Sequence, residues 1–164
     1  MQQLLSQPAA VSGYGISEIE ADTRVFELEC GSFHLHVIEP DAPRRLETEQ
    51  FIRQAYRRIF GAELNSFYRS IITLHDNQER IVGAVGARHA MGQVLFTEQY
   101  LMQPAQKLIS EQSGQLITRD RVVELGNLSV VRPALTYPFI SMIGRWLQGY
   151  SVDWLLFCLT GSLR

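Results

Sequence analysis

The sequence predicts an α/β protein of the mixed-sheet (α+β) kind, and three observations carry that prediction. Runs rich in β-formers recur at 33–39, 70–90, 121–131 and 154–160. Segments with a 3.6-residue apolar period, 46–60 and 136–150, lie among them. The stretch from 121 to 160 reads strand–helix–strand, a crossover that makes its two strands parallel neighbours, whereas the hairpin at 70–90 is antiparallel.

Taken in order, residues 1–30 are weakly patterned, broken by Pro8, Gly13 and Gly15, and read as an arm or irregular cap. "FHLHVIE" (33–39) alternates as a strand does, and Pro40 and Pro43 end it. "LETEQFIRQAYRRIF" (46–60) places Phe51, Ile52, Ala55, Tyr56 and Ile59 on one helical face, and Gly61 supplies a C-cap. "SIITLHDNQERIVGAVGARHA" (70–90) reads as two strands joined at Asp76-Asn77-Gln78. "LFTEQYLMQPAQKLISEQSG" (95–114) is helical in pattern but interrupted at Pro104, which predicts two short helices. After the strand 121–131 comes "TYPFISMIGRWLQGY" (136–150), with Thr136 as N-cap and Phe139, Ile143, Trp146, Leu147 and Tyr150 as core stripe. "WLLFCLT" (154–160) reads as a fully buried strand.

Composition narrows the class. At 164 residues, the chain has the length of one domain with a real core. A net charge of −2 removes the electrostatic footprint a nucleic-acid binder needs. Cys30 and Cys158 fit no metal or redox spacing, and Cys158 in its apolar run reads as a buried thiol in a reducing compartment. The N-terminus lacks a basic n-region and a long apolar core, and no run reaches the roughly 20 apolar residues of a membrane helix. These features predict a cytoplasmic protein without a membrane span.

The functional signal is "VVELGNLSVV" (122–131), which has the ends of a buried strand but carries Glu124, Gly126 and Asn127 within it. A carboxylate and an amide are costly inside a sheet, and glycine weakens a strand. In an unbroken strand Glu124 and Asn127 would face opposite sides. A β-bulge at Gly126 would bring them to one face and leave a backbone N–H able to stabilise an oxyanion. The alternative is a strand whose polar residues sit near its end and are capped by neighbours.

With that strand in place, the order of elements resembles the GNAT N-acyltransferase superfamily. More narrowly, "IVGAVGARHA…LFTEQYL" followed by "VVELGNLSVV" and "FCLTGSLR" resembles the thermostable haemolysin family, from about residue 33 to the end. A more distant likeness is to acyl-homoserine-lactone synthases and N-acyl amino acid synthases. Their matching strand carries Glu-x-x-Arg where this chain has Glu124 and Asn127, so the charged fork of arginine is absent here. The resemblance implies a GNAT-like fold and acyl transfer from a thioester to the amine of a small molecule or amino acid. It implies Glu124 as the base, Glu98 as a second carboxylate that binds the amine or orients Glu124, and Asn127 beside them. The thioester side of the site then falls on Gly126, Leu128, Ser129, Val130 and Arg132.

Two departures qualify it. The loop after the strand, "VVRPALTYP", has no glycine, and Pro133 and Pro138 remove donors from any phosphate cradle. The donor is therefore expected to be acyl-coenzyme A or an acyl carrier protein thioester, with no metal. The second departure is that the fold normally continues with a helix and two strands where this sequence stops, so it reads as truncated after the fifth strand. An uncovered strand edge then predicts a homodimer or swapped dimer through 154–160. A membrane-active haemolysin-type protein and a non-catalytic thioester-binding module are the competing classes. His34 and His36 share a strand face without a carboxylate at metal-site spacing, and read as structural or surface residues.

Overall fold

The computed structural model describes residues 24–28 and 31–157. It is a mixed α/β fold whose six strands lie in sheet order β1-β2-β3-β4-β5-β6, the order of the chain itself. The strands are β1 (Arg24–Leu28), β2 (Gly31–Ile38), β3 (Ser70–His75), β4 (Ile81–His89), β5 (Val122–Val130) and β6 (Trp154–Leu156). Every neighbouring pair is antiparallel except β5 and β6, which run parallel as the crossover requires.

Among the described residues three α-helices cover the sheet: α1 (Arg45–Phe60), α2 (Ala105–Ser113) and α3 (Thr136–Gln148). On one face α3 lays Phe139, Met142, Ile143, Trp146 and Leu147 against Leu35, Leu74, Val85, Val123 and Leu125. On the other, Ile52 of α1 packs with Ile38, Ile71 and Ala84. Beside it, α2 closes a smaller cluster through Ala105 and Ile109 against Ala90, Leu95 and Val122. The even-numbered positions Val122 and Glu124 thus face α1 and α2, and the odd-numbered Val123 and Leu125 face α3.

Several expectations are corrected. Residues 1–30 are not wholly irregular, because Arg24–Leu28 adds a sixth strand on β2. Thr136 is not an N-cap: a 3₁₀ turn at Pro133–Leu135 leads directly into α3, Thr136 is already helical, and no side-chain cap forms. Ile59, placed on the buried stripe of α1, is exposed, while Gly61 ends that helix in the left-handed conformation as expected. The first of the two short helices is a 3₁₀ turn at Thr97–Tyr100, and α2 begins directly after Pro104. β6 is half-buried rather than fully buried. Cys30, Cys158 and residues 158–160 of that strand lie outside the described residues. No helix among the described residues is long and apolar enough to cross a membrane.

Candidate active site

The bulge exists, one residue later than expected. Gly86 pairs with Gly126 and Ala84 with Ser129, so Asn127 and Leu128 together oppose Val85. Asn127 takes the left-handed conformation, φ 56°, which asparagine tolerates better than other residues with a β-carbon. The extra residue resets the alternation: Asn127 joins Gly126 in lining a cleft of about 440 Å³, while Leu128 and Val130 turn into the α3 core. Among the described residues the β5–β6 ladder stops at Glu124↔Leu156, so the bulged half of β5 has no described strand on that side.

Gly126 serves another purpose. The Tyr68 ring lies across Gly126 and its cross-strand partner Gly86, where added β-carbons would stand 2.4 Å from the Tyr68 hydroxyl oxygen and 2.5 Å from the ring root. Two glycines side by side on adjacent strands thus form a slot that a ring can fill. Arg45 holds the approach to that slot, donating from its guanidinium to the carbonyls of Tyr68 at 2.7 Å and Arg69 at 2.5 Å. Arg88, register partner of Glu124, stacks its guanidinium 5.0 Å from the Tyr68 ring centroid.

Beneath the ring lies Glu124, fully buried. Its Oε1 accepts the Thr97 N–H at 2.6 Å, and its Oε2 accepts the Phe96 N–H at 3.0 Å and the Tyr68 hydroxyl at 3.3 Å. The Arg88 guanidinium stands 3.9 Å from Oε2. A buried carboxylate is tolerated only with such donors and an opposite charge nearby. Glu124 therefore fastens the turn at Phe96–Thr97, and its route to the cleft runs past the Tyr68 hydroxyl. Aromatic and apolar groups of Tyr56, Leu64, Phe67 and Phe96 wall the cleft, with Ser66 and Arg88 at its polar positions.

Glu98 is placed elsewhere. Its carboxylate accepts the N–H groups of Leu95 at 2.9 Å and Ala105 at 2.8 Å, and pairs with Arg119 at 2.7 Å. The Arg119 hydrogen bond in particular holds its pKa down to about 2. It closes the loop between β4 and α2 and does not line the cleft. Ser129 is buried and donates to the Asn127 carbonyl at 3.3 Å, bracing the bulge. Arg132 is exposed on the loop after β5.

Of the expected residues, then, Gly126 and Asn127 meet in the cleft, with Glu124 joined to it through Tyr68. Tyr68, Arg88 and Phe96 were not singled out by the sequence. The clue to Tyr68 was the pair of strand glycines, since glycine inside a strand marks a close approach. Arg88 was visible as a cation at the end of the apolar run Ile81–Ala87.

No curated protein and no solved structure matches the chain. Residues 38–164 match the family model for thermostable hemolysin, a span that takes in α1, both strands of the hairpin, the bulged strand and the cleft. The chain is a member of the thermostable hemolysin family.

Proposed function

We propose that the protein transfers an acyl group from a thioester to the amine of a small acceptor, on a GNAT-like sheet. The observation that carries this reading is a bulged strand that both lines the cleft and carries a buried carboxylate joined to it through the Tyr68 hydroxyl. The apolar walls suit an acyl chain, and the bulged half of β5 offers backbone groups to a thioester arm. Asn127 lies where the acyl carbonyl would be held.

In this reading the acceptor ammonium loses its proton to the Tyr68 hydroxyl, which passes its own proton to Glu124 at 3.3 Å. The freed amine nitrogen attacks the thioester carbonyl carbon, forming a tetrahedral oxyanion. Its collapse breaks the C–S bond, the thiolate departs with the electron pair, and the proton that the new amide nitrogen gives up is the one the thiolate takes. Arg88 supplies in the cleft the positive charge that Asn127 does not, which favours an acceptor bearing a carboxylate, such as an amino acid.

The test offers acyl-coenzyme A and acyl carrier protein of several chain lengths with pooled amino acids, and follows free thiol and new amide by mass spectrometry. Asn127→Gly is the diagnostic variant, because glycine keeps the left-handed bulge while removing the side chain from the cleft. New amide that falls at least about tenfold in Asn127→Gly supports the reading. No amide from either donor sinks it.

One observation favours a second reading. Met91, Val94, Phe96, Tyr100 and Met102 are all exposed on the segment between β4 and α2. Such an apolar surface suits a protein that acts at a membrane surface. Leakage of liposomes by protein alone, without acyl donor, would select that reading.

A further inference from the structure

The far end of the β2–β3–β4 sheet carries a second cluster of chemistry, made by none of the cleft residues. His34 and His36 project from the same face of β2, two residues apart. The turn between β3 and β4 brings Glu79 to them, a carboxylate the sequence spacing did not reveal. Ligand atoms of the three residues lie within 4.8 Å of one another. We propose that His34, His36 and Glu79 form a binding site for a divalent transition-metal ion, zinc being the ion its donor set suits.

One donor pair already stands at the separation a shared ion needs, and His36 lies close enough to join it by a small side-chain adjustment. Two donors bound tetrahedrally to zinc at about 2.0–2.1 Å stand about 3.4 Å apart. His34 Nδ1 and Glu79 Oε1 are 3.3 Å apart. Two imidazoles and one carboxylate make a three-ligand set that leaves a fourth position to water, and mixed nitrogen and oxygen donors suit zinc over calcium or magnesium. Glu79 is largely solvent-exposed, so the ion has an entry path.

The surroundings are arranged for the same three ligands. His75 packs its ring 4.6 Å from that of His36 but is already committed. Arg44 donates to its Nδ1 at 2.9 Å, so Nδ1 carries the lone pair and Nε2 carries the proton, which goes to Thr73 Oγ1 at 2.9 Å. His75 therefore walls the site rather than ligating. The Arg44 charge is answered by Glu47, whose two oxygens accept from it at 2.8 and 2.9 Å.

Glu79 also sits where a glutamate is costly. The Glu79 N–H bonds the Asp76 carbonyl at 2.9 Å and the Asp76 N–H bonds that of Arg80 at 3.1 Å, closing a tight turn with Glu79 left-handed at φ 58°. Glycine is the default there. A glutamate held in that conformation, with its carboxylate against His34, points to use of the side chain.

That strain supplies the test. In Glu79→Gly the turn residue becomes the one the backbone prefers, so the metal-free protein keeps or raises its melting temperature. The unsubstituted protein, His34→Gln and Glu79→Gly are titrated with zinc against a chromophoric chelator, and melted with and without zinc. The expected result is saturable binding of one zinc. Melting rises by roughly 5–10 °C at a hundredfold excess over Kd. Affinity falls at least about tenfold in both variants, and cobalt bound to the unsubstituted protein shows the visible bands of a tetrahedral site. If His34→Gln does not fold, Glu79→Gly alone decides. No saturable zinc binding, or affinity within about twofold of the unsubstituted protein in Glu79→Gly, overturns the proposal and leaves an ion pair. Zinc held by the cysteines would survive in both variants and would overturn it equally.

Discussion

Alanine at Gly86 or Gly126 tests whether the two glycines exist for the Tyr68 ring. Neither has a positive φ, so backbone conformation does not demand them. At Gly86 the new β-carbon would meet Tyr68 Cγ and Cδ2 at 2.5 Å and Cβ at 2.7 Å. Carbon atoms rest about 3.5–4.0 Å apart, so the root of the side chain must retreat by about 1 Å. Rotation cannot achieve that, because Cβ itself is struck, and the Tyr68 backbone is held by Arg45. At Gly126 the collision is with the ring tip, the hydroxyl oxygen at 2.4 Å and Cε2 and Cζ at 2.6 Å, which a tilt of the ring relieves.

Overpacking costs about 1–3 kcal/mol, and a glycine-to-alanine change returns about 0.4–1 kcal/mol through the unfolded chain. We expect Gly86→Ala to lose about 2 kcal/mol and Gly126→Ala about 1 kcal/mol, measured by urea unfolding. Repeating both in a Tyr68→Ala background completes the cycle. With the ring gone, Gly126→Ala becomes neutral or stabilising. Gly86→Ala keeps part of its penalty, because the 2.7 Å contact with the residue 68 β-carbon persists. Equal costs in both backgrounds would refute the slot as the reason for these glycines.

Other substitutions probe the charged groups. Glu124→Gln exchanges one acceptor oxygen for an amide NH₂ facing the Phe96 or Thr97 N–H, and should cost about 1–3 kcal/mol of unfolding free energy even before activity is assayed. Glu98, held at about 2, stays ionised when the unfolded carboxyl has protonated near 4.5; its stabilisation is present above 4.5 and lost as pH falls towards 2. Glu98→Gln should therefore flatten stability against pH in that window, followed by circular dichroism. Burial first, then the charges around it, push His75 down to about 4 from 6.5, so the unfolded chain takes its proton earlier and stability drops as pH falls from 6.5 towards 4. His75→Gln should make that fall shallower by on the order of 2 kcal/mol, though not abolish it, since burial lowers His36 and His89 as well.

How much of this was written in the sequence depends on whether a signal is periodic. The stripes of α1 and α3 and the β3–β4 hairpin were legible because burial repeats along one element. The bulge was legible as a disturbance of such a repeat, yet its position was not. Gly126 attracted the assignment, but the residue that turns left-handed is Asn127, and Gly126 is small for the Tyr68 ring. Tyr68 itself comes from residues 62–69, which connect α1 to β3 without any period to read. The His34–His36–Glu79 cluster was half visible: spacing two on a strand showed the histidines. Glu79 reaches them only through a turn whose geometry no pattern announces. Glu98 was read as a second carboxylate beside Glu124, and only its hydrogen-bond partners, the Leu95 and Ala105 N–H groups and Arg119, show it committed elsewhere.

Because strands follow one another across the sheet in chain order, the folding kinetics of the molecule have a definite shape. β3 and β4 are joined by a five-residue turn, Asp76–Arg80, so that pairing closes with little loss of chain entropy. The β4–β5 and β5–β6 pairings must instead wait for residues 90–121 and 131–153 to be gathered in, each through a helix. Local pairings form fast and distant ones slowly, so the β3–β4 hairpin forms early and β5 joins it afterwards. The cleft is built across that late seam, with Gly86 on the early strand and Gly126 on the late one. Its floor thus joins a strand of the early hairpin to one that is added only after a long connection has been gathered in.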